Sequence, residues 1–182
     1  IAHIHEIIRR GAAMHFVSYH PYYGKLQHAG ADTEKLEAAL RGFTPFLNKE
    51  SAALRDVLPK GMPIMATEWN PMMWNAKRDQ FTSMAQALGL TEGIFAMADD
   101  GVYSAHFWDR AHAYEPVREV LEMMARCMGD RILLRHRTSD ARVYVMQDSE
   151  SGDVAVWAWN LRDEGDFNVR LDLSAWDKPL RR

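Results

Sequence analysis

The sequence contains very little cysteine, since Cys127 is the only one among its 182 residues. A single thiol excludes an internal disulfide framework and leaves the redox compartment undecided. The residues around it, 121–128, have a pattern typical of a helix. We therefore expect a thiol that is packed inside the protein rather than a reactive one.

Long apolar runs and a strong net charge are also missing. No run approaches the ~20 apolar residues of a membrane helix, so we expect no membrane partner. The formal net charge of −3 is not the positive charge that is typical of nucleic-acid-binding proteins, so we expect no nucleic-acid partner. Neither a P-loop nor a Gly-x-Gly-x-x-Gly pattern occurs, and we expect no nucleotide or other cofactor. A hydrophobic content of 47% is ordinary for a globular protein and can supply a core.

The chain alternates between helical and strand patterns up to Gly129. A buried strand is predicted at 14–19 and further strands at 64–67 and 102–108, and a helical pattern follows each of them. Asp32 or Thr33 can cap the helix after the first strand, which Thr44-Pro45 is expected to restart or kink. Alternation at this spacing is typical of parallel βα units. The predicted helices span 1–10, 33–57, residues from 76 to 88 or 97, and residues from 115 onward.

The pattern changes after Gly129 to short runs separated by turn clusters. The last run, 167–173, alternates strictly between apolar and polar residues, as a half-buried antiparallel strand does. We therefore expect an α/β part at 1–129 and a β-rich part at 130–182. The predicted strands of the second part lie at 132–136, 142–146, 154–160 and 167–173.

Polar and aromatic side chains follow each predicted strand of the α/β part. The first strand is followed by His20-Pro-Tyr22, the second by Glu68-Trp-Asn70, and the third by Trp108-Asp109. Because the carboxyl ends of parallel strands share one edge of a sheet, these clusters should lie on the same rim. In a (β/α)₈ barrel, catalytic residues collect on that rim.

Glu68 is the strongest catalytic candidate. A carboxylate directly after Ile64-Met-Ala-Thr67 is costly to bury unpaired, so it should reach a cleft or a partner. The Tyr22 hydroxyl is suited to donate to that carboxylate and keep it ionised. Structural alternatives stay open: a salt-bridged Glu68, a packed His20, an ordinary loop Tyr22, and a core Trp108 in place of a sugar platform.

Two further patterns carry less weight. His3 and His5 are two residues apart on a helix and do not face one ligand, so we expect no metal site. Ser18, His20 and Asp32 are not read as a catalytic triad, because no nucleophile-elbow sequence surrounds the serine.

The sequence resembles the clan A retaining glycoside hydrolases, whose sixth, seventh and eighth barrel strands carry matching signatures. Phe16-Val-Ser-Tyr-His-Pro-Tyr22 is similar to the sixth strand, and Pro63-Ile-Met-Ala-Thr-Glu-Trp-Asn70 to the seventh strand with its nucleophile. Ser104-Ala-His-Phe-Trp-Asp109 is similar to the eighth strand. The Thr-Glu-Trp-Asn form is closest to family 39 β-xylosidases and family 51 α-L-arabinofuranosidases.

The resemblance implies the C-terminal part of a (β/α)₈ TIM barrel, strands six to eight, followed by part of an antiparallel β-sandwich. It implies a carbohydrate substrate, with Glu68 as the nucleophile. Tyr22 would orient it, His20 and Asn70 would bind sugar hydroxyls, and Trp108 would form the floor of a subsite.

The resemblance also implies a second catalytic residue that this chain does not carry. In the clan, an acid/base glutamate follows an asparagine on the fourth strand, and no Asn-Glu dipeptide occurs in the sequence. We therefore expect a fragment that lacks the N-terminal half of the barrel and is inactive by itself. The sugar, the linkage and the cellular location stay open.

Two other classes of function remain as alternatives. The first is a non-catalytic carbohydrate-binding or structural protein built on a degenerate barrel. The second is an interaction module in which the β-rich part packs against a partner.

Overall fold

The computed structural model describes residues 2–29, 32–72, 80, 83–108, 115–162, 164–172 and 174. The chain separates into two compact units, residues 1–128 and 129–182. The first is mixed α/β with a parallel sheet, and the second contains an antiparallel sheet. None of the described helices is both long and apolar enough to cross a bilayer.

The first unit alternates helices and strands, as the sequence pattern predicts. Its sheet has the order β1-β2-β3, and both neighbouring pairs are parallel. Strands β1 and β3 begin later than predicted, whereas β2 begins at Ile64 as predicted and extends to Trp69. Phe16, just before β1, is 52% exposed. The elements are α1 (Ala2–Arg9), β1 (Val17–Tyr19), α2 (Lys25–Ala29), α3 (Thr33–Arg55), β2 (Ile64–Trp69), α4 (Met84–Asp99), β3 (Ser104–Phe107) and α5 (Val117–Cys127).

Helix α3 starts as predicted and continues where the sequence suggested a break. The Asp32 side chain accepts a hydrogen bond from the Lys35 backbone N–H at 3.0 Å and caps the helix. Pro45 lies inside the helix, which runs on to Arg55. Proline removes a backbone donor and crowds the carbonyl four residues earlier, so the contacts of α3 with its neighbours must hold the helix across this position.

Other predicted helix features are corrected by the structure. Helix α4 begins after the cap residue Ser83. It was expected to begin near residue 76 and to run through residue 81, and both positions lie outside the described residues. Helix α4 then continues without a break through Gly89 and Gly93. Cys127 is exposed and not buried as expected, because it is the last residue of α5.

Helices α3 and α4 lie on the same face of the parallel sheet. Strand crossovers are right-handed in nearly all proteins, so two crossovers that advance in one direction put their helices on one side. The two helices contact each other and enclose one apolar core with β2. This core comprises Phe43, Leu47, Ala66, Trp69, Ala87, Leu90, Ala96, Met97 and Val117.

The centre of this core is the fully buried indole of Trp69. Its ring stacks beside Phe43 at a centroid distance of 6.3 Å and lies against Gly93 of α4. A Cβ atom at position 93 would lie 2.7 Å from Trp69 Cη2 and 3.0 Å from Phe43 Cε1. Glycine at this position therefore makes room for the indole, although it weakens the helix locally.

The second unit is a three-stranded antiparallel sheet with the order β4 (Arg131–Arg137), β5 (Ala141–Gln147) and β6 (Val154–Asn160). These strands match the first three runs predicted for this part. A turn joins β5 to β6, where Asp148 accepts from the backbone of Ser151 at 2.7 Å. Gly152 in this turn has a φ of 70°, which suits glycine.

The fourth predicted strand, at 167–173, is wrong for the residues that are described. Residues 167–172 form no strand, and Val169 and Leu171 are 39% and 42% exposed. Alternation of apolar and polar residues gives a strand two faces, but a strand forms only where a neighbour offers backbone hydrogen bonds. No such neighbour pairs with 167–172 in the described part of the chain.

We predict that Gly93→Ala lowers the free energy of unfolding by about 1–3 kcal/mol, because the new methyl overpacks against the Trp69 ring. Gly42→Ala in α3 is the matched control, since its Cβ would meet only the hydroxyl end of Tyr23, which can shift. Urea unfolding of both variants provides the comparison. Equal stabilities of the two variants would contradict the packing described here.

Candidate active site

The three strand ends converge on one rim, as expected for parallel strands. Beyond β1, Tyr22 pairs with Asn70 through an isolated parallel bridge. Beyond β3, the Trp108 backbone N–H donates to the Trp69 carbonyl at 3.0 Å. The clusters that contain His20, Glu68 and Trp108 are therefore brought together. Asp109 lies outside the described residues.

A bulge in β2 turns Glu68 away from the core. Ala66 pairs with Ala105, but Trp69 pairs with Phe107, so two residues of β2 oppose one residue of β3. Strict alternation after Ile64 and Ala66 would direct Glu68 toward the helices. Instead Trp69 is buried there, and the Glu68 side chain is 42% exposed. Bulges are rare between parallel strands and often re-aim side chains beside active sites.

The Glu68 carboxylate has two neighbours on the end of β1. The Tyr22 hydroxyl donates to Oε2 of Glu68 at 3.0 Å. Nδ1 of His20 lies 3.6 Å from the same oxygen, which is too long for a direct hydrogen bond. The other ring nitrogen of His20, Nε2, is 3.0 Å from Oγ1 of Thr67. Both ring nitrogens of His20 thus face protein atoms.

Trp108 presents an aromatic surface next to Tyr22, the hydrogen-bond partner of this carboxylate. Its side chain belongs to the exposed large apolar residues, with 39% of the residue accessible. Its ring contacts that of Tyr22 edge to face, with centroids 6.1 Å apart and planes at 73°. An accessible indole offers a flat apolar surface on which the C–H face of a sugar ring can pack.

Asn70 differs from its expected role as a sugar contact, because it is completely buried. Its Oδ1 accepts from the Met72 backbone N–H at 2.8 Å and from Nε2 of Gln86 at 2.9 Å. Its Nδ2 donates to the Trp108 carbonyl at 3.0 Å. The side chain therefore ties β2 to the end of β3 and to α4, and it presents no accessible surface to a ligand.

The tyrosines around the end of β1 have different surroundings. Burial, followed by the negative charges of Asp100 and Glu50, raises the pKa of Tyr19 to about 12. Burial also raises the pKa of Tyr23. These two phenols stay protonated on the helix side of the sheet, whereas the hydroxyl of Tyr22 faces Glu68.

Two site residues were not singled out from the sequence. Thr67 contacts His20, and Gln86 holds Asn70 from α4, sixteen residues away. Gln86 is nearly fully buried, which is unusual for a glutamine in a helix. This burial depends on the tertiary fold, so the sequence carries no local signal for it. Within the described ranges, no group of three or more His, Cys, Asp or Glu side chains is arranged to hold a metal ion.

Comparison with known proteins adds no relative to this geometry. The chain matches no known family profile, and no curated protein matches it significantly.

We predict that Asn70→Ala lowers the free energy of unfolding by at least about 2 kcal/mol, since each buried polar group left without a partner costs ~1–3 kcal/mol. The amide groups of Met72 and Gln86 would lose their shared acceptor. The exposed Asn168→Ala is the control and should change stability little. If thermal unfolding shows equal effects for both variants, Asn70 does not hold the strand ends.

Proposed function

We propose that this chain carries the nucleophile of a retaining glycoside hydrolase, with Glu68 as the attacking carboxylate. The observation that carries the proposal is the environment of Glu68. It is a half-exposed carboxylate at the carboxyl end of the central parallel strand, it accepts a hydrogen bond from Tyr22, and the Tyr22 ring contacts the accessible Trp108. Catalytic residues of (β/α)₈ enzymes occupy this end of the strands.

The chemistry asks for an ionised carboxylate that is held in one orientation. In retaining hydrolysis, the nucleophile attacks the anomeric carbon while a second carboxyl group protonates the leaving oxygen. The Tyr22 hydroxyl donates to Oε2 of Glu68 and so holds that oxygen in place. Oε1 is then the oxygen that faces the substrate, and Trp108 supports the sugar ring.

The parallel sheet supports the finer part of the fold proposal. Its three sequential strands, with α3 and α4 on one face, match one segment of a singly wound barrel. The opposite face carries Ser18, which is exposed, and Thr67. We propose that further barrel strands cover this face in the intact enzyme and supply the acid/base glutamate. The antiparallel unit is then part of the β-sandwich that follows such barrels.

Covalent trapping tests whether Glu68 is the nucleophile and does not require the acid/base residue, which this chain does not carry. In a 2,4-dinitrophenyl 2-deoxy-2-fluoroglycoside, the phenolate leaves with the electron pair of the C1–O bond and needs no proton. A carboxylate oxygen of Glu68 would form an ester to C1, and the fluorine slows its hydrolysis. With β-xyloside, β-glucoside and α-L-arabinofuranoside reagents, we predict a mass increase of one fluoroglycosyl group on the peptide that contains Glu68.

The isosteric variant Glu68→Gln is the control, because its amide is not a nucleophile, and it should not be labelled. Labelling of another residue, or labelling that survives in Glu68→Gln, would exclude Glu68 as the nucleophile. Saturable sugar binding in calorimetry without any ester would instead favour the non-catalytic carbohydrate-binding alternative.

A further inference from the structure

Thr67 is placed to act on the nucleophile through His20. Its Oγ1 lies 3.0 Å from Nε2 of His20, whose Nδ1 lies 3.6 Å from Oε2 of Glu68. Thr67 and Glu68 are the two residues that the β2 bulge sets opposite one residue of β3. The bulge therefore brings the hydroxyl and the carboxylate to the same imidazole ring.

The two ring nitrogens of a neutral imidazole have different roles, because one carries a proton and the other accepts. A lone pair on Nδ1 would face a carboxylate oxygen and be repelled, so the proton belongs on Nδ1. Nε2 is then the acceptor, and the hydroxyl of Thr67 donates to it. In this arrangement the one N–H of His20 is on Nδ1 and faces Oε2 of Glu68 across 3.6 Å.

We propose that Thr67 is a positioning residue that holds the His20 ring with Nδ1–H toward Glu68, so that His20 supports the nucleophile instead of binding the sugar. The functional part of this inference rests on the proposed glycosidase function. Tyr22 and His20 then approach the same oxygen of Glu68 from the end of β1. Together they fix the orientation of the carboxylate and leave Oε1 to attack.

The contact itself is tested by NMR of the full chain labelled with ¹⁵N at its histidines. His20 is identified among the eight histidines by the signal lost in His20→Phe. The spectra are recorded at a pH about two units above the pKa of an ordinary imidazole. The ring proton should then reside on Nδ1 in the wild type and in Thr67→Ser. In Thr67→Val, which keeps the β-branched shape, the Nε2 resonance should shift because it loses its donor.

A wild-type proton on Nε2 would overturn the proposal, and so would identical ring shifts in Thr67→Val and the wild type. The wild-type measurement decides even if a variant fails to fold. Because no sugar is needed, this readout is independent of the glycosidase proposal.

The functional consequence is tested by the rate of ester formation on Glu68. We predict that Thr67→Val slows trapping by about threefold to tenfold, as expected for one neutral hydrogen bond, and that Thr67→Ser restores it. In a His20→Phe background, Thr67→Val should have no further effect, because Thr67 acts only through His20.

Independent, multiplying effects of the two substitutions would overturn the positioning role. A Thr67→Ser variant as slow as Thr67→Val would do the same. If no variant is trapped at all, the proposed function fails, whereas the nitrogen shifts still decide the contact between Thr67 and His20.

Discussion

The burial of the Trp69 indole is the constraint on which the rest of the first unit depends. The ring fills the space between β2 and α4, where Gly93 allows its approach and Phe43 stacks beside it. Trp69 can reach this position only if β2 gains one residue relative to β3. The same extra residue moves Glu68 from the apolar face to the open side, so core packing and site geometry have one cause.

Stability and chemistry are divided between neighbouring residues of the same strand. Trp69 and Asn70 are fully buried, and they join β2 to the helices and to the end of β3. Thr67 and Glu68 face the open side and contact His20 and Tyr22. Because the buried Trp69 and Asn70 directly follow Thr67 and Glu68, they fix the strand that carries the carboxylate. Glu68 therefore has fixed neighbours without burial of its charge, which would be costly.

Much of the fold could be predicted because it follows from periodicity. The βα alternation, the shared rim of His20, Glu68 and Trp108, and the contact of Tyr22 with Glu68 all follow from strand order and side-chain chemistry. The bulge could not be predicted, because it results from the fit of Trp69 against a helix distant in sequence. The burial of Asn70 likewise depends on Gln86.

The other errors have the same origin, since the sequence pattern of a segment does not show which elements pack against it or pair with it in the fold. The helix does not restart at Pro45, because packing outweighs the lost hydrogen bond and the crowding that proline causes. Residues 167–172 alternate as a strand does, yet they find no neighbour to pair with in the part of the chain that is described.

The central claim, that the β2 bulge turns Glu68 out of the core, is tested most directly by cysteine accessibility. In a Cys127→Ser background, single cysteines replace Ala66 and Glu68, which share one face of any regular strand. A charged thiol reagent should modify the cysteine at position 68 rapidly and the one at position 66 only after unfolding. Equal protection at both positions would contradict the bulge and the orientation of Glu68 that depends on it.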